Sequence, residues 1–229
     1  MCGRLSLTAS GEELAEVFGL DEKPEIEARY NIAPTQPLAT VRASVTPTAR
    51  GRRQLAWTSW GVVPKGGPRR LVINVRAEGL GTRSPFRDAF LTRRCLVPTS
   101  GFYEWTGERE ERRAHYFHLA GHRPFAFAGL WETSEDPAVP PSAAILTVAP
   151  NEAVAPIHDR MPAILTPEDF DLWLEPEAKR ASDLRGLLRP YAGPPLAVYP
   201  VGRGVNDARN EGPTLVLPDT TPAAQGRLF

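Results

Sequence analysis

A cysteine directly after the initiator methionine, in Met1-Cys2-Gly3-Arg4, is one processing step away from being a reactive aminothiol. Initiator methionine is normally removed when the next side chain is small, and its loss would leave Cys2 with an amine and a thiol on adjacent carbons. Such a pair condenses with an aldehyde. The amine forms an imine, and the thiol closes a five-membered thiazolidine ring. Because both nucleophiles belong to one residue, the second step is intramolecular and fast. Reference pKa values of about 7.7–8.0 for the amine and about 8.5 for the thiol mean that a neighbouring acid or base would assist both. The competing reading makes Cys2 a small buried hydrophobe that opens a strand.

Three further segments carry groups suited to proton transfer or anion binding. In Cys95-Leu96-Val97-Pro98-Thr99-Ser100-Gly101-Phe102-Tyr103-Glu104-Trp105, Glu104 stands between two aromatic residues, where desolvation would raise its pKa toward proton-transfer duty. On an alternating strand it could equally be an outward carboxylate, and Cys95 reads as core. His158, in Ile157-His158-Asp159-Arg160-Met161-Pro162, sits on a loop, the natural place for a proton shuttle and equally for a surface histidine. Alternation puts Asn74, Arg76 and Glu78 on one strand face. There Asn74 could bond a substrate and Arg76 a phosphate, or the set could be a simple ion pair.

The elements that must position these groups are mostly short strands. Gly3–Thr8 alternates as a strand, and Ser10 to Glu13 forms a capping box that opens a helix through Phe18, closed by Gly19. Pro24 to Pro37 reads as a loop. Strand patterns follow at Leu38–Val45, Gln54–Trp60 and Leu71–Val75, with a short helix over Ser84–Leu91. Arg94–Pro98 and Phe102–Trp105 are two strands joined by Thr99-Ser100-Gly101, and Gly107–Arg113 is a hairpin loop. Ala114–Leu119, Phe125–Leu130, Ala143–Ala149 and Leu196–Pro200 complete the strands, with a loop at Ser134–Ser142. Thr166-Pro167-Glu168-Asp169 starts a helical stretch that runs in two pieces to Leu188. This pattern predicts an α+β fold, a mainly antiparallel curled sheet or barrel-like core with a few peripheral helices, as one domain over 1–229 with a loose tail after about 213.

Composition narrows the functional classes. With 41% hydrophobic and 24% charged residues the chain reads as an ordinary globular protein. No run reaches the roughly 18 apolar residues of a membrane span, and a secretory signal is not expected. Two cysteines make no disulfide framework, which favours a reducing cytoplasm. No metal or other cofactor is expected: there is no Cys-x-x-Cys pair, and His115 and His118 on an alternating strand would face opposite sides. Net charge is zero, yet Arg29 to Arg94 holds thirteen Lys or Arg against Glu78 and Asp88 alone, while residues 121–229 hold nine basic and fourteen acidic residues. That asymmetry allows a basic face for phosphates, or an arginine-rich solvated surface.

The four segments together resemble the SRAP (SOS-response-associated peptidase) family of abasic site processing proteins. The match runs from Cys2 to about Pro213. Its carriers are Met1–Arg4, Asn74–Glu78, Cys95–Trp105 and His158–Pro162, with Arg29–Pro34, Trp60–Pro64 and Val205–Gly212 also similar to family segments. Val75 stands where the family usually has alanine. The resemblance implies that Cys2 captures the aldehyde of an abasic site in single-stranded DNA, surrounded by Asn74, Glu104 and His158. Glu104 would move protons, and His158 would assist sugar ring opening and crosslink reversal. Arg4 and Arg76 would hold flanking phosphates; Trp60, Trp105 and Pro34 would offer apolar faces to bases; Thr147 would make a contact near the pocket. Autopeptidase and lyase-like activities are also implied, in a cytoplasmic, nucleoid-associated monomer. Two other readings stay open: a thiol peptidase on the same residues, with Cys2 as nucleophile, His158 as base and Asn74 or Glu104 orienting it, and a non-catalytic single-strand-binding module that uses the Arg29–Arg94 region and its tryptophans.

Overall fold

The computed structural model describes residues 2–44, 51–64, 70–80, 84–107, 112–134, 136, 138–175 and 181–220. Its centre is a ring of five strands, β3 (Pro37–Ala43), β4 (Arg53–Trp60), β6 (Arg94–Thr99), β9 (Phe125–Glu132) and β10 (Ser142–Val148). β4, β3, β6, β9 and β10 pair in that order, and β10 returns to β4 through Ser142↔Ser59 and Ala143↔Trp60. Closure removes the unpaired edges that an open sheet would expose. Among the described residues β10 pairs in parallel with β4 and with β5 (Asn74–Arg76), and an isolated bridge from Leu20 to Arg53 is parallel too. The other strand pairings, including those of β11 (Met161–Pro162) with β10 and β12 (Ile164–Leu165) with β9, are antiparallel. The α+β, barrel-like expectation holds.

A second, antiparallel sheet runs in the order β13 (Leu196–Pro200), β8 (Arg113–Leu119), β7 (Gly101–Thr106), β1 (Leu5–Leu7), β2 (Arg29–Ile32). The predicted β6 and β7 are both present, but they belong to different sheets, and the chain crosses between them at Ser100. The crossing is tight. A Cβ on Gly101 would lie 2.3 Å from the Tyr116 ring, so only glycine fits. β2 corrects the sequence reading, which took this stretch for loop. It is a strand because it pairs with β1, Leu5 opposite Ile32, a partner that no local pattern reveals.

Helix α1 (Gly11–Phe18) carries the predicted capping box between Ser10 and Glu13, and Gly19 ends it at φ 60°. The remaining helices are short: α2 (Arg87–Thr92), α3 (Phe170–Leu174) and α4 (Ala181–Leu187). The stretch after Pro213, expected to be loose, forms a 3-10 turn over Pro213–Val216 and returns Asp219 N to Pro200 O at 2.8 Å. Residues 221–229, and 108–111 within the stretch expected to be a hairpin loop, lie outside the described residues. No described helix is long and apolar enough to cross a membrane.

Several arginines counted toward a basic face have internal tasks instead. Arg94 is 5% exposed and joins the ends of two helices. It donates to Phe90 O at 2.8 Å and Leu91 O at 2.5 Å in α2, to Trp173 O at 2.7 Å in α3, and to Glu175 O just beyond it. A cation is well placed against helix C-terminal carbonyls. Arg53 likewise donates to Phe18 O at the end of α1 and pairs with Asp171. We predict that Arg94→Met, which strands these carbonyls, destabilises the fold by about 3 kcal/mol. Thermal unfolding should then fall by roughly 6–12 °C for a chain of this size. An unchanged midpoint would refute this role.

Candidate active site around Cys2

Cys2 lies just before β1, fully buried in the core. Its carbonyl accepts a 2.7 Å hydrogen bond from Asn74 Nδ2 on β5, and its thiol lies 3.6 Å from Arg4 O. The start of the chain is thus tied to the strand that extends the β4 side of β10. Burial, then the nearby Glu104 carboxylate, pushes the thiol pKa well up, so the sulfur rests as a protonated thiol. Asn74 Oδ1 is buried without a hydrogen-bond partner among the described residues.

Glu104 is on β7, 2% exposed. Alternation sends Tyr103 to the small cluster with Tyr116 and Val205, and sends Phe102 to the main core. Glu104 shares the Phe102 side, at the margin of the core near Cys2. Desolvation raises its pKa from 4.5 to about 7, with the positive charge of the chain terminus pulling the other way. Both its acid and base forms are therefore populated near neutrality. Directly opposite on β8 stands His115, whose Nδ1 is buried without a hydrogen-bond partner among the described residues. His118 lies on the other face, its ring 5.6 Å from that of Tyr116.

His158 sits on the loop after β10, its amide held by Val154 O at 2.9 Å. Its Nδ1 accepts Arg160 N–H at 3.0 Å and also lies 2.9 Å from Asp159 Oδ1. These contacts suit different protonation states: the neutral ring accepts from Arg160, and only the charged ring donates to Asp159. Burial lowers the ring pKa, and the terminal charge lowers it further, so the neutral form dominates. Positive charge at the chain terminus thus affects the titration of both Glu104 and His158. Of the four residues expected to carry the chemistry, Asn74 bonds the Cys2 carbonyl directly and the Glu104 carboxylate acts on the Cys2 thiol.

The residues expected to contact DNA divide. Arg76 is exposed and makes no ion pair among the described residues. Arg4 is half-buried and donates from Nη1 to Asn31 Oδ1 and Val205 O, both at 2.6 Å. Trp105 is half-buried beside it. Pro34 is half-buried in the β2–β3 turn, next to Thr35 at φ 72°. Two expectations need correction. Trp60 is fully buried, with Nε1 donating to Ile73 O at 3.1 Å, so it has no face for a base. It shares the inward side of β4 with buried Thr58, and Trp57 is the exposed indole at 46%. Thr147 is also fully buried, and it accepts Arg160 Nη2 at its carbonyl at 2.6 Å. It holds the His158 loop rather than DNA.

The alternative reading of Asn74–Glu78, an ion pair within one strand, is not seen among the described residues. β5 ends at Arg76, and Glu78 turns into a 3-10 segment to grip both Arg160 Nη atoms at 2.8 Å. Two other family-like segments, Arg29–Pro34 and Val205–Gly212, prove to be joined. Asn31 donates to Asp207 O and Asn210 O, both at 2.9 Å, and Glu211 accepts Tyr30 N at 2.8 Å. Val205–Gly212 is thereby laid beside Arg4, bringing Asn206 Oδ1 to Trp105 Nε1 at 2.7 Å. None of Cys2, Asn74, Glu104 or His158 lines the apolar hollow of about 580 Å³ walled by Val17, Phe125, Phe170 and Tyr191. Among the described residues no cluster of three His, Cys, Asp or Glu could hold a metal.

Comparison with known proteins adds to this geometry. The family description "SOS response associated peptidase (SRAP)" matches residues 1–208. Over 226 residues the chain is 33% identical to the abasic site processing protein YoqW of Bacillus subtilis (strain 168), covering 94% of this chain and 99% of that one. It is 26% identical over 227 residues to the abasic site processing protein YedK of Escherichia coli (strain K12), covering 95% and 100%. Among solved structures, a phage-related protein from Bordetella bronchiseptica is similar at TM-score 0.69 and 29% identity, covering 89% of this chain and 95% of that one. A Bacteroides thetaiotaomicron protein shares the fold at TM-score 0.77 and 22% identity, covering 95% and 100%.

Proposed function

The chain belongs to the SOS response associated peptidase family, and from that premise we propose that it processes abasic sites in single-stranded DNA by covalent capture on Cys2. The observation that carries the proposal is the buried Glu104, poised near pH 7 beside a cysteine that follows Met1. Removal of Met1 frees the Cys2 amine. That amine adds to the C1′ aldehyde of the ring-opened deoxyribose, and the carbinolamine loses water to give an imine. Protonated Glu104 supplies the proton that departs with the water. The imine so formed keeps its N–H and is therefore protonated. The Glu104 carboxylate takes the thiol proton as Sγ adds to that iminium carbon, closing a neutral thiazolidine and restoring the acid. The balance is one water lost and one C–N and one C–S bond formed.

Neutral His158 stands ready to take the hydroxyl proton during sugar ring opening. Asn74, through the Cys2 carbonyl, sets the direction in which the aminothiol points. A thiol peptidase would need Cys2 as a thiolate, and burial together with Glu104 opposes that form. The reaction suits the reducing cytoplasm, with one protein molecule acting at each lesion.

Intact-mass measurement tests this directly. The purified protein should lack Met1. After incubation with an abasic single-stranded oligonucleotide, it should gain the mass of that oligonucleotide less one water. Retention of Met1 with no covalent product would sink the proposal. DNA retention without a mass change would point to a binding module instead.

A further inference from the structure

The indole of Trp105 serves two cations at once. Arg4 Cζ lies 5.9 Å from its ring centroid and Arg112 Cζ lies 4.7 Å from it. The ring itself is anchored, because Nε1 donates to Asn206 Oδ1. Arg4 is anchored as well, by Asn31 and the Val205 carbonyl. Arg112 is exposed and pairs with no carboxylate among the described residues. The neighbouring carboxylate Asp207 is engaged by Arg209, with Nη2 at 2.7 Å and Nε at 3.0 Å. Two guanidiniums gathered at one ring repel each other, and a bound anion contacting both would relieve that repulsion. Each presents planar donors that match phosphate oxygens.

We propose that Arg112 and Arg4 close on one backbone phosphate of the DNA strand, with Trp105 as the plate that spaces them. Trp105 then acts mainly on arginines and not as a stacking surface for bases. The charge of Arg112 acts on both Arg4 and Glu104, which agrees with a phosphate held on the Glu104 side of the clamp. The inference rests on the proposed function and deepens it by assigning Arg112, a residue outside the family-like segments, to the DNA site.

The test is equilibrium binding of the full chain to an undamaged single-stranded oligonucleotide across a salt series. Arg112→Gln should weaken binding at low salt about three- to tenfold and make the log K against log salt slope shallower by about 0.7. Arg112→Lys should restore most of the slope. Trp105→Leu, which removes the plate, should flatten the slope as Arg112→Gln does. A neutral methylphosphonate on one side of the abasic site should slow wild-type capture and add nothing to the Arg112→Gln defect. A wild-type slope in Arg112→Gln overturns the clamp. So does a Trp105→Leu variant that binds weakly with its slope intact, since that marks a base-stacking ring. If the slope changes but no covalent product forms on abasic DNA, the clamp survives and the capture mechanism does not. If covalent product forms and the slope is unaltered, the capture mechanism survives and the clamp does not.

Discussion

Cys2→Ala is expected to abolish the heat-stable adduct with abasic DNA while sparing an imine that borohydride can trap. Alanine is small enough for Met1 to be removed, so the variant keeps a terminal amine. The amine still condenses with the aldehyde, but the imine hydrolyses because no sulfur closes on it. A thiol on the adjacent carbon acts at an effective concentration far beyond any free thiol, so its loss should lower stable product by at least about 100-fold. Unfolding does not explain such a loss: deleting one buried sulfur costs about 1 kcal/mol. Cys95 supplies the control. It is fully buried on β6 with its thiol pushed up to about 12 by desolvation, and Cys95→Ala should capture at the wild-type level. A Cys2→Ala protein that forms the stable adduct at normal yield would show that another nucleophile does the work.

Glu104→Gln should slow capture and strengthen the fold together. Removing a positioned acid/base group lowers the rate by about 10²–10³-fold. The rate inflection near pH 7 should disappear in the variant, because the group that titrates there is gone. Stability moves the other way. Burial raises the folded-state pKa of Glu104 from 4.5 to about 7, so the folded chain holds this proton more tightly than the unfolded chain. Below about pH 4 both states are protonated and no difference arises. As pH climbs to about 7, the unfolded state ionises first, and folding loses about 1.4 kcal/mol per pH unit. Above pH 7 the loss levels off at about 3 kcal/mol. Glutamine has the same shape and never ionises. The variant should therefore melt roughly 6–12 °C above wild type at pH 8 and close to it at pH 4. Equal melting points at pH 8 would mean that the buried carboxylate is not strained.

Local signals made parts of this molecule readable in advance. The Ser10–Glu13 box and Gly19 bound α1 because caps act within one turn of chain. β13 occupies the very residues Leu196–Pro200 that the pattern marks. β2 was not readable, since it becomes a strand only by pairing with β1. Within β4, alternation separates Trp57 from Trp60 but does not say which side faces inward. The ring closure between β10 and β4 decides that. Arg94 looked like surface charge, because nothing in its neighbours announces two helix ends converging on it.

By itself, the sequence determined the reactive inventory: a cysteine behind Met1, a carboxylate between aromatics, a loop histidine and a strand asparagine. Those identities follow from side-chain chemistry and short-range pattern, which need no third dimension. Tertiary structure alone decided their proximity, the burial that lifts Glu104, and which arginines remain exposed. Desolvation and charge coupling depend on groups far apart in the chain being brought together, and no local window of sequence contains that information.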